Sequence, residues 1–186
     1  MMTREEFVKK YYPDAVKATA GTGIFPQVMI AQAIIESSGK VNGSYYPGES
    51  LLAKLGNNYF GIKDSSSWTG PVITLQTGEY YGGVKSYVSG DFRKYGSVEE
   101  SFKDYIDFLK KNPRYTSAGV FTAKTPAEQA AALQRAGYAT DPRYSSLIVA
   151  VIDNVKKWFT GSTVAFSISG LLLIGTILFF LTNNER

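Results

Sequence analysis

Pro26-Gln27-Val28-Met29-Ile30-Ala31-Gln32-Ala33-Ile34-Ile35-Glu36 is the stretch around which the rest of the chain is organised. Proline suits the first turn of a helix, where its missing N–H would have no intrahelical partner. The residues after it are apolar on nearly every face, and a helix without a polar side is one that other elements surround. The run therefore predicts a central buried helix, stopped by Ser38-Gly39. Met29, Gln32 and Glu36 share one face of it, which puts the carboxyl of Glu36 at the wall of a cleft beside apolar neighbours. Desolvation there raises a carboxyl pKa and keeps the group protonated near neutral pH, the state in which it can protonate a glycosidic oxygen. Most glutamates at helix ends are merely solvated, so the position alone does not make Glu36 an acid catalyst.

Around this helix the chain reads as a mainly helical α+β domain over residues 1–160 with a small β-hairpin lobe. Thr3 and Glu6 have the spacing of a capping box ahead of Phe7-Val8 and Tyr11-Tyr12. The charged start, Met1 to Phe7, lacks an apolar run and does not read as a secretory signal peptide. From Val41 to Gly96 glycines accumulate, and the alternation Val72-Ile73-Thr74-Leu75 predicts a hairpin turning near Gly82-Gly83. Helices resume at two further capping boxes, Ser97-Val98-Glu99-Glu100 and Thr125-Pro126-Ala127-Glu128. The first leads into Phe102, Tyr105, Ile106 and Leu109; the second ends at Gly137. Asp141-Pro142 is expected to cap a last amphipathic helix carrying Leu147, Ile148, Val151, Ile152, Val155 and Trp158.

Residues 161–163 form a short linker, and Val164 to Leu181 follows without a charge. At about 1.5 Å per helical residue that run spans roughly 27 Å, close to the apolar thickness of a bilayer. It predicts one C-terminal transmembrane helix, residues 164–181, before a polar tail, 182–186. The alternative is a buried core helix. Lys156 and Lys157 precede the span and Arg186 follows it, a weak bias that would place the domain on the cytoplasmic side.

The composition narrows the chemistry. Among 186 residues there is no cysteine and no histidine, so thiol nucleophiles, disulfides, Ser-His-Asp chemistry and the usual zinc sites are excluded. Catalysis must then rest on carboxylates, hydroxyls, amides, Lys or Arg, and neither a metal nor a cofactor is implied. The net charge of +4 suits an anionic wall polymer but is equally that of a domain with solvated lysines. No nucleic-acid-reading motif or dense basic run is present, which argues against nucleic acid as a partner. Thirteen tyrosines against two tryptophans supply flat faces with hydroxyl handles, suited either to sugar rings or to the edges of a core.

Several motifs in order carry a family resemblance. Ala31-Gln32-Ala33-Ile34-Ile35-Glu36-Ser37 resembles the catalytic-helix motif of family 73 of the glycoside hydrolases, the endo-β-N-acetylglucosaminidases that include flagellar rod-cap wall hydrolases. Asn57-Asn58-Tyr59-Phe60-Gly61-Ile62-Lys63 resembles the family's Asn-x-Phe-Gly-Ile-Lys signature, and Thr77-Gly78-Glu79-Tyr80-Tyr81-Gly82-Gly83 the hairpin with its second glutamate. Asp91-Phe92-Arg93-Lys94-Tyr95, Asn112-Pro113-Arg114-Tyr115 and Gly137-Tyr138-Ala139-Thr140-Asp141-Pro142-Arg143-Tyr144 complete the set, over roughly residues 5 to 159. Ser37-Ser38-Gly39-Lys40 departs from the usual Glu-Ser-Gly-x-Gly, so the loop after the acid is expected to differ.

The resemblance implies a lysozyme-like fold and a peptidoglycan glycan strand as partner, with Glu36 as general acid and aromatic residues along a sugar groove. Glu79 is the candidate second carboxylate, to activate water or to stabilise positive charge on the sugar ring. The substrate's own N-acetyl group could instead be the nucleophile, leaving Glu79 an orienting role. Asn58, Phe60, Tyr115 and Tyr138 are the candidate sugar contacts; Asn58 could equally hold a turn. A lytic transglycosylase, a non-catalytic membrane-tethered wall-binding protein and a membrane-disrupting role for the tail are the competing readings. A wall hydrolase without a signal peptide fits phage lysis, delivery by a secretion device or non-classical export.

Overall fold

The structure, a computed structural model, describes residues 1–81 and 84–159. The expected transmembrane run, 164–181, lies outside the described residues, and among these no helix is long and apolar enough to cross a membrane. Helix α2, Pro26–Ser37, starts at the proline and passes through the centre of the domain. Its neighbours are α1 (Arg4–Thr19), α6 (Pro126–Arg135) and α7 (Tyr144–Phe159); α1 also packs against α4 (Val98–Lys111), which the short α5 (Pro113–Ser117) follows. Val28, Met29, Ile30, Ala31, Ala33 and Ile34 are all sealed from solvent. Burying an isoleucine or methionine of this kind contributes about 1.5–3 kcal/mol, so the helix is held by its surroundings and not by its own propensity.

The capping signals work as donors and acceptors require, with one difference. Thr3 and Glu6 form the full reciprocal box at the start of α1. Ser97 and Thr125 each accept the N–H three residues on, at 3.2 and 3.1 Å. The returning carboxylates of Glu100 and Glu128 bond one residue further out, to the N–H of Gly96 and Lys124. Asp141 closes the turn before α7 by accepting the N–H of Arg143 at 2.8 Å.

The hairpin is longer than its short alternation suggested: β3 (Val72–Tyr81) and β4 (Val84–Arg93) pair antiparallel over their full length, Val72 opposite Arg93. Two short elements have no clear sequence signal, the ribbon β1 (Gly39–Val41) with β2 (Ser44–Tyr46) and the one-and-a-half-turn α3 (Leu51–Gly56). Both are held from outside. The Ser37 hydroxyl accepts the N–H of Gly48 at 2.9 Å and its carbonyl accepts the N–H of Ser50 at 2.9 Å, which folds the segment back under the end of α2. Gly39 makes that return possible, because a Cβ there would sit 2.2 Å from the carbonyl oxygen of Glu49. Gly39→Ala is expected to destabilise the domain by about 1–3 kcal/mol through forced backbone movement, read as a lower urea midpoint at constant slope.

Candidate active site

Glu36 lies one residue from the end of α2, partly buried, with its Oε1 accepting the hydroxyl of Tyr144 at 2.7 Å. Burial raises its pKa, and the Tyr144 hydrogen bond works in the opposite direction by favouring the carboxylate. Burial is the larger effect, so the group holds its proton more tightly than a free glutamate does. Tyr144 opens α7 and is itself enclosed; its oxygen accepts from the Gln32 amide at 2.8 Å. Gln32 is one turn before Glu36 on the same face of α2, with 0% of its surface exposed, and its Oε1 accepts the hydroxyl of Tyr105 from α4.

Tyrosine rings wall this group. Tyr138, in the turn between α6 and α7, stacks on Tyr144 with centroids 5.7 Å apart and planes 13° from parallel. Its hydroxyl donates to the carbonyl of Phe60 at 3.2 Å. Phe60 stacks on Tyr105 at 4.1 Å, and Tyr115 leans on Tyr138 at 6.2 Å. Of the sugar contacts expected from sequence, Tyr138 keeps part of its surface accessible beside the acid.

The other three are placed differently. Asn58 is 1% exposed, and its side chain is saturated by the Ile62 N–H, the Ile62 carbonyl and the Arg93 carbonyl, at 3.0, 2.9 and 2.8 Å. It fixes the loop that carries Phe60, the turn-holding alternative. Phe60 at 3% and Tyr115 at 1% are core rings, since their flat faces are already covered by Tyr105, Phe102, Phe108 and Tyr138. They back the site and offer no surface to a ligand in this conformation.

Glu79 occupies β3 opposite Ser86, on the outer half of the hairpin, seven positions from the Arg93 end of β4 that joins the helical body. A cavity of about 490 Å³ between α1 and the 47–49 loop, lined among others by Phe7, Tyr11, Glu49 and Tyr59, does not include Glu36. Among the described residues no group of three or more acidic side chains is gathered to hold a metal ion.

A carboxyl whose proton affinity is raised by burial, at the end of a buried central helix and hydrogen-bonded by a phenol, is the layout of a lysozyme-like glycoside hydrolase. The chain belongs to the glucosaminidase family, whose model, described as mannosyl-glycoprotein endo-beta-N-acetylglucosaminidase, matches residues 12–157. It is 36% identical over 155 residues to the peptidoglycan hydrolase FlgJ of Salmonella typhimurium, covering 82% of this chain and 46% of that protein. With the exo-glucosaminidase LytG of Bacillus subtilis it shares 34% identity over 133 residues, 70% of this chain and 44% of that one. The chain thus spans less than half the length of these curated relatives.

Among solved structures, a peptidoglycan hydrolase mutant from Sphingomonas sp. A1 matches with a TM-score of 0.65 at 33% identity, over 84% of this chain and 99% of that one. The catalytic domain of the autolysin Auto from Listeria monocytogenes matches with a TM-score of 0.68 at 32% identity, over 83% and 86%.

Tyr144, Gln32 and Tyr105 complete the site although sequence reading did not select them as site residues. Gln32 had a usable signal: an amide on an all-round apolar helix must find buried partners. Tyr144 lay within a quoted motif, but its partner is 108 positions away and no local pattern joins them.

Proposed function

We propose that the chain is a peptidoglycan hydrolase that cleaves the β-1,4 glycan backbone after N-acetylglucosamine, with Glu36 as general acid. The observation that carries this reading is the desolvated Glu36 carboxyl held by Tyr144 at the accessible end of α2. Protonation of the glycosidic oxygen by Glu36 lets the leaving sugar depart as charge builds on the ring. The apolar C–H face of a bound sugar ring stacks on the accessible part of Tyr138. Glu79, on the β3–β4 arm, supplies the second carboxylate, activating water or countering the developing positive charge. The names of FlgJ and Auto, a peptidoglycan hydrolase and an autolysin, support the wall as substrate. The apolar run 164–181 serves as the membrane anchor, which keeps the domain at the bacterial envelope, in a setting of phage- or secretion-linked wall lysis.

The test is a digest of purified peptidoglycan with the full chain and its Glu79→Gln variant, the released ends read by mass spectrometry. Reducing N-acetylglucosamine ends are expected, and Glu79→Gln is expected to slow their release about a hundredfold. Anhydro ends would replace hydrolysis by a lytic transglycosylase reaction. Binding to the wall without release of any fragment would leave a tethered binding protein.

A further inference from the structure

The buried amide of Gln32 joins two phenols from different helices into one directed chain. Tyr105 donates to Gln32 Oε1, Gln32 Nε2 donates to Tyr144 Oη at 2.8 Å, and Tyr144 donates to Glu36 Oε1 at 2.7 Å. Every hydrogen points from the core toward the carboxyl. An amide between two phenols can present its oxygen to either of them. Turned over, it would accept from Tyr144 and donate to Tyr105. The Tyr105 hydrogen, on a residue with 0% exposure, would then lose its acceptor in a dry core. Tyr144 would point its hydrogen away from Glu36 and offer a lone pair instead, drawing the Glu36 proton toward itself.

We infer that Tyr105 is a positioning residue for the acid. Through Gln32 it fixes Tyr144 as a donor to Oε1, so that the transferable proton of Glu36 resides on Oε2, the oxygen Tyr144 does not hold. This rests on Glu36 being the general acid. The titratable groups that face Glu36 are the phenols of Tyr144 from α7, Tyr138 from the turn before it and Tyr105 from α4. Burial pushes all three above the ordinary phenol value, so they act as neutral hydrogen-bonding groups across the working pH range.

Tyr105→Phe removes one oxygen from a packed ring and leaves Glu36, Gln32 and Tyr144 in place. It is read in two ways: the pH profile of kcat on peptidoglycan, and a carboxyl-carbon NMR titration of Glu36 assigned with Glu36→Gln. The expected result is about a tenfold lower kcat at unchanged KM, the scale of one misdirected hydrogen bond. The alkaline limb and the Glu36 titration both move to higher pH, because the carboxylate loses its donor. In a Tyr144→Phe background the same substitution does neither, since no hydroxyl remains to be turned.

An unmoved limb and titration in Tyr105→Phe overturn the inference, as do equal effects with and without the Tyr144 hydroxyl. Should Tyr105→Phe fold poorly, Gln32→Met with Tyr105→Phe removes amide and hydroxyl together; the Tyr144 hydroxyl then has only Glu36 to donate to, so the titration must stay near that of the parent, and a rise overturns the inference. Full cleavage by Glu36→Gln would refute the acid assignment itself, while the titration still decides whether the relay orients Tyr144.

Discussion

Replacing Glu36 by glutamine is expected to lower kcat on peptidoglycan about a thousandfold, within the range that a positioned general acid contributes. Glutamine keeps the shape of the side chain and an oxygen that can accept from Tyr144, so the substitution removes the proton and little else. KM should change far less than kcat, because the lost interaction exists only as the glycosidic oxygen takes up charge. The measurement is the release of reducing ends over time from saturating peptidoglycan. A residual rate within tenfold of the parent would show that another group supplies the proton.

The same substitution should make the protein more stable at neutral pH. Burial raises the pKa of Glu36 in the folded state above the value of 4.5 that it has when free. Between those two values the folded state binds more protons than the unfolded state, so stability falls as pH rises through that window. Above the folded value the whole penalty is present; below 4.5 it is absent. Glutamine carries no such penalty. Glu36→Gln is therefore expected to gain about 1 kcal/mol at pH 7, as relief of a strained active site commonly gives. The gain should vanish as the pH is lowered past the free value. Thermal melts at both ends of the range check the sign.

How much of this was legible in the sequence depended on the reach of the interactions concerned. The central helix could be recognised because its signal is local: a proline start, apolar residues on all faces and a Ser38-Gly39 stop. The same pattern marked a carboxyl at its end, Glu36, while the role of acid came only from the family resemblance. The ribbon at Gly39–Tyr46 and the short helix at Leu51–Gly56 depend on the Ser37 contacts and on the bare Cα of Gly39, which local periodicity does not register. Aromatic residues were the least legible. Tyr115, Phe60 and Tyr138 look alike as candidates for a sugar platform, yet two are covered by other rings and only Tyr138 reaches the surface beside Glu36. Whether a ring faces solvent is decided by packing partners far along the chain, as is the meeting of Tyr144 with Glu36. Asn58 shows the same rule for an amide: its backbone partners at Ile62 and Arg93 turn a possible ligand contact into a fastener.

Asp104→Ala is expected to destabilise the domain by about 3–5 kcal/mol, the cost of stranding one partner of a buried ion pair. Arg93 ends β4, and its guanidinium, 8% exposed, meets both carboxylate oxygens of Asp104 on α4 at 2.9 and 2.8 Å. The Tyr95 hydroxyl donates to the same carboxylate at 2.7 Å, and the second guanidinium nitrogen donates to Ser65 at 3.0 Å. Trp68 lies against the guanidinium, 4.9 Å from ring centre to carbon. Removing Asp104 leaves a buried cation and a buried hydroxyl without their shared acceptor, which is far worse than never having had the pair. The cost would therefore belong to the unpaired charge and not to lost packing. Replacing both partners together, Arg93→Met with Asp104→Leu, tests that distinction: it should recover most of the loss in urea unfolding, since hydrophobic groups of similar size fill the site without a stranded charge. Equal instability in the single and double variants would assign the effect to shape. Because this cluster ties the foot of the β3–β4 arm to α4, the recovered double variant also separates two roles of the pair. If it folds well yet releases fewer glycan ends, the ion pair is needed to aim the arm that bears Glu79, beyond holding the fold together.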